Sequence, residues 1–127
     1  MKVEISNGEL VDKVTILAIK LERLSSPEKR GNVRREYELL RQAMRHIGIS
    51  EADPLFRELS AVNAALWDIE DDIRRKEARQ EFDEDFIALA RQVYFNNDRR
   101  AALKQRINRR TGSTIVEEKE YADYRPR

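Results

Sequence analysis

Apolar residues recur along this chain at alternating spacings of four and three, the period of a helix with one buried stripe. The longest runs lie between Asp53 and Asn108. Leu55, Leu59, Val62, Leu66, Ile69 and Ile73 form one stripe, and Phe86, Leu89, Val93, Asn96, Arg100, Leu103 and Ile107 form a second, interrupted by two polar residues. Between them, Arg74 to Glu81 has no apolar residue except Ala78, and Asp83 followed by Glu84 and Asp85 has the character of a new helix N-terminus. The spacing therefore predicts two long antiparallel helices with a turn near residues 79–82. In such a hairpin, residues equidistant from the turn lie level. Asn63 then falls level with positions from Asn96 to Ala101, and Trp67 with positions from Gln92 to Asn97.

Two shorter helices precede this hairpin. Ser6 and Glu9 flank a capping-box spacing directly before Leu10, Val14, Leu17, Leu21 and Leu24. Val11, Ile16, Ala18 and Ile19 widen that stripe, so the first helix is expected to touch more than one neighbour. A second helix carries Val33, Tyr37, Leu40, Met44 and Ile47, starts either after Asn32 or at Pro27, and stops at Gly48. Asp53 and Pro54 open the third. The expected fold is all-α: two antiparallel helical hairpins in a four-helix, up-down-up-down arrangement with short extended ends. Residues 1–127 are expected to form a single helical domain, with 113–127 as an extended arm. Alternation at Met1–Ile5 and the run Thr114–Val116 each carry a weak strand signal.

Composition narrows the function classes. The chain has 25 basic and 24 acidic residues and a net charge of +1, which argues against general nucleic-acid or anionic-membrane binding. The charges are segregated: Asp68 to Phe86 holds nine acidic and four basic residues, whereas Asp98 to Arg110 holds one acidic and six basic. There is no cysteine, and no stretch has the length of a secretory signal or a bilayer span, so a cytoplasmic protein without a membrane partner is expected. His46 is the only histidine, placed where a cation suits a helix C-terminus. Each of the four glycines is expected at a helix boundary, and they form no phosphate-binding loop. No cofactor is expected.

Five blocks carry a resemblance. Asn7-Gly-Glu-Leu-Val-Asp-Lys13, Leu66-Trp-Asp-Ile-Glu-Asp-Asp-Ile-Arg74, Phe86-Ile-Ala-Leu-Ala-Arg91, Tyr94-Phe-Asn-Asn-Asp-Arg-Arg100 and Glu117-Glu-Lys-Glu-Tyr121 together resemble a family of short bacterial helical proteins with no assigned function. The resemblance implies a cytoplasmic bacterial protein and brings no activity, cofactor or catalytic residue with it.

Two sets of side chains are candidates for a site. Asn63, Trp67, Asn96, Asn97 and Arg100 are expected to converge midway along the hairpin. Polar residues in a seam need satisfied partners, and their best-attested use is to fix how helices align. Arg100 needs an acid, with Glu58, Asp12, Glu117 and Glu118 as candidates and the arm as the favoured source. The alternative site combines Glu70 and Asp71 with Arg100 and Lys104, as in a metal-dependent hydrolase of phosphorylated small molecules related to all-helical nucleotide pyrophosphohydrolases. Against it, no second acidic pair faces Glu70 and Asp71, and a solvated acidic face is the commoner use of such a run. The main functional expectation is a module that assembles with itself or with a protein partner. A homodimer or higher oligomer follows from length, because the shorter first hairpin leaves apolar surface on the longer one.

Overall fold

A computed structural model describes residues 1–126. Its four helices are α1 (Asn7–Arg23), α2 (Pro27–His46), α3 (Pro54–Ala78) and α4 (Glu84–Thr111). Each begins where a side chain satisfies a free first-turn amide: Ser6 accepts from Glu9, Ser26 from Lys29, Asp53 from Leu55 and Asp83 from Phe86. Proline occupies the first turn of α2 and α3, and Gly112 ends α4 in the left-handed conformation. The second helix starts at Pro27, the earlier of the two boundaries that the sequence leaves open.

The α3/α4 hairpin keeps the register that equidistance from its turn demands. Lys76 meets Asp83, Arg106 meets Glu58, and Arg110 meets Asp53. Helix α1 lies against both arms and against α2, as its wide apolar surface anticipates, while the backbone of α2 closes on α1 alone. Only Met44 of α2 is buried, and it joins Val11, Val14, Ile49, Leu59 and Ile107 in the core.

The core occupies one end of the hairpin. Buried residues of α3 stop at Leu66, and those of α4 begin at Asn96. Helix α1 ends at the same level, where Arg23 pairs with Asp68 and stands over Trp67 at 5.9 Å. Beyond this point α3 continues to Ala78, an overhang of about 15 Å at 1.5 Å per residue. Its seam residues Ile69, Ile73, Phe86, Leu89 and Val93 are only half-buried, and Phe82 and Ile87 are 53% and 56% exposed.

The two strand expectations are corrected: neither Met1–Ile5 nor Thr114–Val116 is a strand, and no strand occurs among the described residues. A strand needs a partner for its backbone groups, and neither terminus lies beside one. None of the helices is long and apolar enough to cross a membrane among the described residues.

Candidate functional site

The polar break in the α4 stripe opens onto α1. Arg100 donates from Nε to Asp12 Oδ1 at 2.9 Å and from Nη2 to Oδ2 at 2.5 Å, a two-point pair between residues that the chain separates by 88 positions. Asn63 Nδ2 donates to Asp12 Oδ1 and to Thr15 Oγ1, each at 2.8 Å, and the Thr15 hydroxyl donates to the Asp12 carbonyl at 2.7 Å. The Asp12 side chain is 1% exposed and that of Arg100 is 30% exposed. Three helices thus meet at one buried carboxylate, whose charge the guanidinium neutralises. Asp12 in turn holds Arg100 still more firmly in its charged form, against the opposing effect of burial.

One turn earlier, α1 docks its N-terminus onto the end of α4. The Gly8 amide donates to Asn108 Oδ1 at 2.6 Å, the Asn7 amide to Ser113 Oγ at 3.0 Å, and Asn7 Nδ2 to Thr111 Oγ1 at 2.9 Å. With the Glu9 amide held by Ser6, these donors are spent within the protein. Gly8 lies so close to α4 that a Cβ there would stand 2.4 Å from the Lys104 carbonyl oxygen. Lys104, 10% exposed in its side chain, donates to Glu9 at 2.6 Å and to Glu117 of the C-terminal arm at 3.3 Å.

The arm runs back along α4 and encloses a cleft of about 700 Å³. Glu117 also takes Lys119 at 2.5 Å, and the Lys119 and Lys104 ammonium groups hold its carboxyl below the usual carboxylate range in spite of burial. Further along, Tyr124 donates to Asp98 and packs on Tyr94 and Phe95 at 5.0 and 5.4 Å between ring centres. Arg100, Lys104, Lys119, Tyr94 and Tyr121 all line the cleft.

The other residues singled out from sequence are dispersed. Asn97 lines the cleft with Arg100. Asn96 is buried but donates to the Gln92 carbonyl of its own helix at 2.8 Å. Trp67 sits under Arg23 at the end of α1. Glu70 pairs with Arg74 on the same helix face at 3.7 Å. Neither Glu70 nor Asp71 lines the cleft that contains Arg100 and Lys104. Asn63, level with Arg100, lies seven residues and about 10 Å along α3 from Glu70. Among the described residues no three histidine, cysteine or acidic side chains gather as a metal-ion cluster. Of the acids weighed for Arg100, Asp12 is the partner; Glu58 serves Arg106, and Glu117 serves the two lysines.

An apolar count does not single out Thr15 or Glu9. A signal for part of this network exists in Gly8, Asp12, Thr15 and Ile19, a second buried stripe of α1 with four-three spacing that its polar content hides from such a count.

A second groove, about 600 Å³, runs along α3 and α4 with no α1 or α2 residue in its lining. Ala61, Ala65 and Ala102 keep it open, and Arg99, Arg106 and Glu58 flank it.

The chain belongs to the family described as Family of unknown function (DUF6165), whose model matches residues 1–125. No curated protein and no solved structure matches it.

Proposed function

We propose, for this member of a family of unknown function, a self-associating helical module that pairs through the α3/α4 hairpin. One observation carries the reading: the hairpin outreaches α1 by about three turns, and the overhang leaves Ile69, Ile73, Phe86, Leu89 and Val93 half-buried. A third helix covers the same seam below Leu66, and at the overhang a second copy would supply that cover.

Charge favours an antiparallel partner. The overhang belongs to the acidic segment Asp68 to Phe86, and the α4 wall of the alanine-lined groove lies largely in the basic one, so that Arg99 and Arg106 outnumber the groove's single acid, Glu58. Two hairpins side by side, tip to base, set the acids of each against the arginines of the other, and a two-fold axis makes the contact reciprocal. Such a contact calls on no cofactor, membrane or nucleic acid. The cytoplasm is the compartment this reading assigns, with residues 1–127 as a single helical domain and 113–127 as its extended arm.

Size-exclusion chromatography with light scattering tests the reading. The expected mass is at least twice the chain's 15.0 kDa, falling toward one chain as salt screens the arginine–carboxylate contacts. A mass of one chain at every concentration and salt level overturns it.

A further inference from the structure

We propose that the cleft between α4 and the C-terminal arm binds a small organic anion. Its carboxylate or phosphate takes the place that Glu117 holds on Lys104, and its planar body lies among Tyr94, Tyr121 and Tyr124.

The donors on the α4 side are built for more acceptors than the protein supplies. Arg100 spends Nε and Nη2 on Asp12, and among the described residues its Nη1 reaches no acceptor. Lys104 spends one N–H on Glu9 and one on Glu117, leaving a third. The two carboxylates on Lys104 are not equivalent. Glu9 is fixed on α1 and holds the ammonium at 2.6 Å, with Lys13 a more distant second cation at 3.9 Å. Glu117 stands on an extended segment at 3.3 Å and has its own cation in Lys119. Glu117 is therefore the exchangeable group, since its departure leaves Lys104 paired and frees Lys119 for an incoming charge. An anion in its position receives from Lys104, Lys119 and the free edge of Arg100, a charge-assisted set.

The rest of the cleft selects for a flat ligand. Tyrosine rings present apolar faces with polar tips, and Tyr124 stays anchored through Asp98, Tyr94 and Phe95 when Glu117 leaves. The volume of about 700 Å³ suits a small organic molecule rather than a chain segment. The alanine groove shares none of the cleft's lining, so this site and the pairing surface stand or fall separately.

Benzoate, phenyl phosphate and inorganic phosphate serve as probes, with benzylamine as the cationic control, followed by amide chemical-shift perturbation on the full chain. Benzoate or phenyl phosphate is expected to move the resonances of Ala101, Lys119 and Tyr121, and to do so at lower concentration than inorganic phosphate. The two organic anions separate a carboxylate ligand from a phosphate ligand. Glu117→Gln should tighten binding several-fold by removing the internal competitor. Lys119→Glu, at an exposed position, should weaken it by roughly tenfold or more while the melting temperature stays near the parent's. No cleft shift with either organic anion, an equal response to benzylamine, or an affinity unchanged by Lys119→Glu overturns the proposal.

Discussion

Asp12 of α1 and Arg100 of α4 share two hydrogen bonds across the middle of the molecule, and the carboxylate is the fully buried partner. The asymmetry decides what each substitution costs. Arg100→Ala leaves the Asp12 charge in the core with only Asn63 donating to it, which should cost about 3–5 kcal/mol. Asp12→Asn leaves a guanidinium that already reaches solvent, so its cost should be lower, about 1–3 kcal/mol. Urea unfolding of the two variants checks the order. Equal costs, or an Arg100→Ala protein as stable as the parent, contradict it.

Glycine substitutions should diverge in sign. Gly8→Ala drives a methyl group into the Lys104 carbonyl and lifts the first turn of α1 from α4, with an expected loss of about 1–3 kcal/mol. Gly31 lies inside α2, where an added methyl group would find nothing within 4 Å, and Gly31→Ala should gain about 0.5–1 kcal/mol from helix propensity. Thermal melts of the pair separate close packing from helix propensity.

Acid should destabilise the fold through its helix caps. Lys76 first, then the Phe86 amide, hold the Asp83 carboxyl below its ordinary 3.8. For Asp53, burial acts upward but is outweighed by the bonds from Arg110 and the Leu55 amide, and the net shift is again downward. A carboxyl with a depressed folded-state pKa contributes stability that is fully present above its unfolded value and lost as pH falls through the folded one. Melting temperature should therefore hold from neutral pH down to about 4.5 and fall steadily below 3.8. Asp53→Asn combined with Asp83→Asn should flatten that decline.

Pairing through the overhang predicts where a charge is harmful. Ile87→Glu puts a carboxylate on the half-covered tip, and Arg99→Glu reverses a groove arginine that has no ion-pair partner among the described residues. Each should shift the sedimentation profile toward one chain without lowering the helical content seen by circular dichroism. Leu39→Glu, at a more exposed apolar position on α2, should leave the profile unchanged.

What the sequence determined by itself is the local architecture. Ser6, Asp53 and Asp83 cap their helices through atoms within three residues, and Gly112 ends α4 through its own backbone freedom, so the chain's periodicity and punctuation specify four helices and the hairpin turn. The breadth of the α1 stripe likewise carried its central position, because apolar surface on several sides has to be covered by several neighbours. Asn63 and Arg100 stood out as seam residues for the same periodic reason. Only the tertiary structure decided that Asp12 is their common partner, that Trp67 and Asn96 lie apart from them, and that the backbone of α2 closes on α1 alone. Those outcomes depend on how far α1 slides and rotates between the two arms. That placement is set by contacts such as Gly8 against Lys104, nearly a hundred residues apart, and by the packing of the whole core, neither of which a four-three spacing encodes.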